Sequence, residues 1–279
     1  MDDILMVCCG GGIHHIMEPY MDRFSSELIF INKDDGSPGS SRDWGSCPCP
    51  DNVSFLNLDD AEGIGTRMRG KRVVFVLSIL GGDTGLNMMH HVIGVARDHG
   101  CSVVSLVGVP MKFEEGRRGR AMDALPELVV QSDRLFILDV DTIFNMNIHR
   151  RSHFLFNAID SSISFAAHGL YDAMEGPFFS TFTQKVYTFA YSSELDPADA
   201  VNKALDSTMF ESDPAGGKLI VLVGSGFGRA EVDSVYGTVV GMSGIMPDIV
   251  KRSDCEDTKV LVFLPVSPDD LSSPRASRT

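Results

Sequence analysis

No stretch of this 279-residue chain stays apolar for about 18 residues, the length a membrane-spanning helix needs, so direct membrane insertion is not expected. The opening residues, MDDILMVCC, lack the basic flank of a secretory signal, which makes a cytoplasmic protein the expectation. Basic residues are scarce: 24 Lys and Arg stand against 38 Asp and Glu, for a net charge of -14. That balance offers no electrostatic footprint for nucleic acid or for an anionic lipid surface. Paired C-x-x-C motifs are missing too. The six cysteines (Cys8, Cys9, Cys47, Cys49, Cys101 and Cys255) include a single C-x-C and read as reduced structural thiols. Finally, no lysine follows the glycines at 81–85, which excludes the G-x-x-x-x-G-K-[ST] phosphate loop, and G-x-G-x-x-G is absent there as well.

What is present is an ordinary globular composition, 43% hydrophobic and 22% charged, long enough for one large domain or two smaller ones. The chain is organised around 73–87, VVFVLSILGGDTGLN, an apolar run of strand length that breaks into Gly81, Gly82, Asp83, Thr84 and Gly85 and then enters a helical pattern. A strand, a glycine turn and a helix start aim backbone N–H groups and the positive helix end at one point, which suits a phosphate. The same pattern opens the chain: a strand at 4–7 runs into Gly10, Gly11, Gly12, Ile13, His14 and His15, and Ile16, Met17, Tyr20 and Met21 follow at helical spacing. One such turn is explained by backbone geometry alone. Two in one chain favour a ligand.

Between and after these turns, apolar runs at 27–32, 53–58, 101–109 and 134–138 read as strands, and 61–69, 88–96 and 121–130 read as helices. Strand 27–32 closes on Asn32, Lys33 and Asp34, and 35–52 turns to Gly, Ser, Pro, Asp and Cys around the single Trp44, the chemistry of a long loop. Strands alternating with helices predict a mostly parallel, doubly wound α/β sheet. A long helix is expected from 149 to about 175. Beyond Gly176-Pro177, a smaller α+β part is expected with strands at 217–224, 248–252 and 259–265 and a helix at 229–242. The histidine pairs His14-His15 and His90-His91 diverge on a helix, so no metal site is expected from them.

Several motifs, in this order, resemble the tubulin and FtsZ superfamily. They are the Gly10-Gly11-Gly12 turn, Asn32 with Asp34, the Gly81-Gly82-Asp83-Thr84-Gly85 loop, Pro110-Met111-Lys112-Phe113-Glu114-Glu115-Gly116-Arg117-Arg118, and Phe156-Asn157-Ala158-Ile159-Asp160. The resemblance covers 4–266 and implies a nucleotide-binding domain at 1–147, a central helix at 148–176, a smaller domain at 177–267 and a short tail at 268–279. It implies GTP or GDP as ligand, with Mg²⁺ compatible. The two glycine loops, His14, Asn32 and Asp34 would line the nucleotide, Glu115 would reach the ribose, and Arg118 would sit over the phosphates. Phe156 would stack on guanine while Asp160 accepts from its N1–H and N2–H, four residues apart on one helix face. Self-association into head-to-tail filaments, or joining another FtsZ-like protein, follows from the same resemblance.

The sequence also departs from that family. Asp83 places a carboxylate beside the phosphates, and His14 stands where the family has asparagine or a small residue. Counting without gaps from Asp160, the family's catalytic acids fall on Phe182 and Lys185, neither of which can polarise water as a carboxylate does. Weak or absent hydrolysis is therefore expected, with no catalytic residue assigned. Two other readings stay open: a nucleotide-free scaffold or regulator of another filament, and a small-molecule enzyme on an α/β nucleotide-binding scaffold with the histidine pairs at its active site.

Overall fold

The computed structural model describes residues 3–33, 50–147, 152–175, 177–212, 214, 216–252, 258–272 and 274. Ten strands and eight helices alternate along them: β1 (Ile4–Cys9), α1 (Gly11–Met17), β2 (Glu27–Asn32), β3 (Val53–Asn57), α2 (Ala61–Met68), β4 (Val73–Ile79), α3 (Asp83–Asp98), β5 (Ser102–Val109), α4 (Glu115–Gln131), β6 (Arg134–Asp139), α5 (Val140–Asn147), α6 (Ser152–Glu175), β7 (Val186–Glu194), α7 (Pro197–Asp206), β8 (Lys218–Gly224), α8 (Arg229–Ser243), β9 (Pro247–Arg252) and β10 (Thr258–Pro265). Trp44 and the cysteines at 47, 49 and 255 lie outside the described residues, as does the predicted ligand residue Asp34.

The strands form one sheet in the order β3-β2-β1-β4-β5-β6-β7-β10-β8-β9. Every pairing from β3 to β7 is parallel, β10 runs antiparallel to both β7 and β8, and β8 pairs with β9 in parallel. The strands of the C-terminal part thus extend the first sheet. β1 (ILMVCC) is buried along its whole length and β4 over all but its last residue, as parallel strands covered on both faces must be.

The side-chain period of two then divides the strands between two cores. Met6, Phe30, Phe75, Leu77 and Phe136 point to the face covered by α1 and α6. Leu5, Val7, Val74, Val76 and Ile137 point to the face covered by α2, α3 and α4. A smaller core joins α7 and α8 to β8 and β10 through Val201, Val221, Val239 and Val262. α6 contributes Ile159, Ile163, Leu170 and Met174 to the first core, together with Met17, Phe189 and Phe263.

Two elements differ from the sequence reading. α4 begins at Glu115, six residues before the helix expected at 121, because Gly116 and Gly119 blur the apolar period while Arg118 and Arg120 are fixed by partners inside the fold. α5 is an unexpected helix, started by the Asp139 carboxylate, which accepts from the Asp141 N–H at 3.1 Å. The helix expected from 149 is observed as α6 from Ser152, and 148–151 lie outside the described residues.

Under the C-terminal half of α6 lies an aromatic cluster. Phe189 and Phe263 stack at 4.6 Å, Phe136 and Tyr187 stack at 5.5 Å, and Phe182 meets Phe136, Tyr187 and Phe263 edge-on. Since β6, β7 and β10 all contribute, this cluster binds the two parts of the sheet together. Phe263→Ala is expected to cost about 3–5 kcal/mol, as for other buried Phe→Ala changes, and equilibrium urea unfolding measures it. A loss below about 1 kcal/mol would show that the two parts are not coupled through these rings.

Candidate functional site

From β1 the chain passes outward to β2 and β3, whereas β4, β5 and β6 build in the opposite direction, so the carboxyl ends of β1 and β4 flank a topological switch point. Both strands end there in glycine turns that need a left-handed backbone: Gly10 has φ 93° and Gly81 has φ 90°. The turns touch. A Cβ placed on Gly10 would come within 3.3 Å of the Gly85 Cα, so the first turn of α3 packs directly on the turn after β1. The Gly10 N–H donates to Ile31 O at 3.0 Å and the Ser78 hydroxyl donates to Cys9 O at 3.1 Å, which ties β1, β2 and β4 together at this end.

Helix caps differ along this end of the sheet. α2 is capped by the Asp60 carboxylate, which accepts from Gly63 N–H at 2.9 Å, and α7 by Asp196, which accepts from Ala198 and Asp199 at 2.8 and 3.0 Å. At α8, Glu231 accepts from the Gly228 N–H. The N-caps of α1, α3 and α4, which are Gly10, Gly82 and Glu114, make no side-chain cap hydrogen bond. These three helices follow β1, β4 and β5, neighbours in the sheet. Their leading N–H groups and positive dipole ends are therefore left to a ligand or to water. A Cβ on Gly11 or on Gly82 would meet nothing within 4 Å, so space lies open over both turns.

α4 fixes the central turn from the other side. The Arg120 guanidinium donates to Gly81 O from Nε at 3.1 Å and from a terminal nitrogen at 2.8 Å, and any side chain on Gly81 would collide with the Arg117 carbonyl. Arg120 lies two positions beyond Arg118, within the one- or two-residue play in the register of that basic motif. Arg118 itself donates to Pro110 O at 2.6 Å and to both oxygens of Asp139 at 2.8 and 3.1 Å. This half-buried, bidentate pair joins α4 to the end of β6. Asp141 accepts from Lys112 N–H at 2.9 Å and from Asn145 at 3.0 Å, with the Lys112 ammonium 3.7 Å away.

The remaining predicted residues group as follows. Gly12 and the buried His14 lie on α1, Asp83 and the exposed Thr84 open α3, and exposed Glu115 opens α4. Asn32 is half-buried at the end of β2, where its side-chain oxygen accepts from the Lys33 N–H at 3.0 Å. On α6, Phe156 is 52% exposed and Asp160 is half-buried one turn later. Burial pushes the Asp160 carboxyl above its usual range, and nearby His15 pulls it partly back. The Tyr20 and Ser161 hydroxyls meet at 2.6 Å, so the segment following α1 is anchored on α6.

Phe182 and Lys185 are elsewhere. Phe182 is 1% exposed within the aromatic cluster, and Lys185 is exposed with its ammonium 3.4 Å from Val130 O. The Leu135 N–H donates to Lys185 O at 2.8 Å, at the start of β6, which is the end of the sheet opposite the glycine turns.

No protein-family model matches the sequence. A segment of 111 residues, 40% of this chain, is 26% identical to cell division protein FtsZ 2 of Methanocaldococcus jannaschii and spans 29% of that relative's length. Among solved structures, the empty FtsZ dimer of M. jannaschii superposes with a TM-score of 0.74 at 17% identity, covering 100% of this chain and 93% of that one. CetZ2 from Haloferax volcanii, in a GTPγS-bound protofilament, superposes with a TM-score of 0.66 at 15% identity, covering 100% and 95%. In fold the chain is FtsZ/tubulin-like, and divergent. Among the described residues no helix is long and apolar enough to cross a membrane.

The raised carboxyl of Asp160 has a consequence for stability. Its folded value lies above its unfolded one, so the fold favours the protonated form; that contribution is complete below the unfolded value and is lost as pH rises through the folded one. Asp160→Asn is therefore expected to raise the melting temperature at pH 7 and to leave it unchanged in acid. A lower melting temperature at pH 7 would mean that the carboxylate has a stabilising partner in the fold.

Proposed function

We propose that the switch-point crevice binds a guanine nucleotide, and that the chain is an FtsZ-like cytoskeletal protein assembling head to tail. One observation carries this reading: α1, α3 and α4 start uncapped around two glycine turns in mutual contact, with open space above them. Such a nest favours an anion with several acceptor oxygens, and a polyphosphate fits it. The phosphates would lie over Gly11, Gly12, Gly82 and Thr84, and an accompanying Mg²⁺ would supply counter-charge to them. The base reaches α6, where Phe156 offers a ring and Asp160 offers two acceptor oxygens to the guanine N1–H and N2–H. Glu115 and Asn32 flank the sugar.

Turnover is weak or absent in this reading. The residues that the resemblance aligns with the catalytic acids are Phe182, held in the core, and Lys185, and both stand at the end of the sheet opposite the crevice. In a head-to-tail stack that opposite end of one subunit meets the crevice of the next, and such a heterologous contact propagates without closing. The polymer would be static. The pairing of Arg118 with Asp139 favours a second reading, a degenerate scaffold without nucleotide, because it engages a cation that the phosphates would otherwise attract.

The test is to identify nucleotide released from the denatured protein, then to add GTP while phosphate release and light scattering are followed together. Guanine nucleotide with scattering and very slow phosphate release is the expected result. Absence of any guanine nucleotide binding replaces this reading with the scaffold, and brisk turnover overturns the assignment of Phe182 and Lys185. Phe156→Ala, at an exposed position, is expected to weaken GTP binding about tenfold, the scale of one lost base-stacking ring, without changing stability.

A further inference from the structure

We infer that His14, His15 and Glu18 form a binding site for a divalent transition metal of the zinc class on the segment that links the first glycine turn to α6. One ligand atom from each of the three lies within 4.8 Å of the others, and His14 Nε2 stands 4.0 Å from a Glu18 carboxylate oxygen. Bonds of about 2.0–2.2 Å to a tetrahedral ion draw ligand atoms to about 3.3 Å, so closure brings these atoms together by up to about 1.5 Å.

The spacing explains what the adjacent histidines lack by themselves. Residues advance by about 100° around a helix, which sets His14 and His15 apart, and Glu18 falls about 40° from His14, between the two. The carboxylate thus bridges two rings whose centroids are 5.6 Å apart. Pro19 follows at once and turns the chain into a 3₁₀ segment, Glu18–Arg23, so Glu18 is held at a fixed break rather than on a sliding helical surface.

The surroundings favour a metal over three independent surface groups. His14 is only 6% exposed, and its ring is held edge-on by Phe30 at 4.7 Å and Phe55 at 5.9 Å, which gives one ligand in a fixed orientation inside an apolar wall. His15 is exposed and Glu18 is half-buried, so the ion has an entry path. Two imidazoles and a carboxylate match the nitrogen and oxygen preference of zinc, cobalt and nickel and suit Mg²⁺ or Ca²⁺ poorly. Three protein ligands leave a fourth position for water. Asp160 lies within electrostatic reach of His15, so a carboxylate stands near the metal site in the nucleotide-free chain. Metal binding needs no nucleotide, since all three ligands belong to the chain.

The experiment titrates the nucleotide-free full chain with Zn²⁺ against a fluorescent zinc chelator, and separately records the visible spectrum of the Co²⁺ complex. His15→Ala and Glu18→Gln, both away from the buried wall, are each expected to weaken Zn²⁺ binding about tenfold or more. His90→Ala and the double change Cys47→Ser with Cys49→Ser are expected to leave it intact, and the Co²⁺ complex is expected to lack a thiolate charge-transfer band. The inference is overturned if the chain binds no Zn²⁺ in competition with the chelator. It is equally overturned if His15→Ala and Glu18→Gln bind as tightly as the parent, or if binding follows Cys47 and Cys49.

Discussion

The contact between Gly10 and Gly85 is the constraint on which the rest of this structure depends. Backbone meets backbone there, and a single methyl group on Gly10 would sit 3.3 Å from Gly85 Cα while demanding a left-handed conformation. That approach is open only if β1 and β4 are neighbours in register, with Cys8 opposite Leu77, and if both strands stop at the same level. Parallel pairing across a switch point meets both conditions. Everything functional then follows from position: α1 and α3 start side by side, α4 is drawn over Gly81 by Arg120, and α1 leads to α6 through the Tyr20–Ser161 contact.

How much of this was legible in the sequence depends on whether a feature is local. The apolar runs of β1, β4, β5 and β6 and the glycines after the first two announce themselves, because burial on both faces and positive φ are demands on single residues. The start of α4 was not legible. Its first turns contain Gly116 and Gly119, and what holds them helical is distant: Arg118 on Asp139 and Arg120 on Gly81. Likewise nothing local at Asp139-Val140-Asp141 announces that Asp139 starts α5 and pairs with Arg118, or that Asp141 is taken up by Lys112 and Asn145. Charged residues at strand ends look alike in a sequence whether they face a ligand or each other. The pair Phe156 and Asp160 was legible in spacing, and the structure adds that the ring is exposed and the carboxyl partly desolvated.

Phe182 illustrates a different limit. Read by counting, it occupies a lost catalytic position; in the fold it is a wedge among Phe136, Tyr187 and Phe263. The two statements are compatible, since a residue buried to that degree cannot also present a polar group to a neighbouring subunit. The aromatic cluster lets the C-terminal strands continue the N-terminal sheet, with β7 parallel to β6 and β10 turning back antiparallel. The stacked and edge-on rings join the N-terminal and C-terminal strands through close packing.

The uncapped starts of α1, α3 and α4 run against local stability. A capping side chain contributes about 1 kcal/mol, and α2 and α7 each have one, so the capacity to cap is present in this chain. Its absence at α1, α3 and α4, which start from the adjacent strands β1, β4 and β5, together with a carboxyl whose ionised form is disfavoured on α6, places several small costs near one end of those strands. Their concentration where two glycine turns touch is what a binding surface requires, because donors already satisfied by the protein have nothing left to offer a ligand.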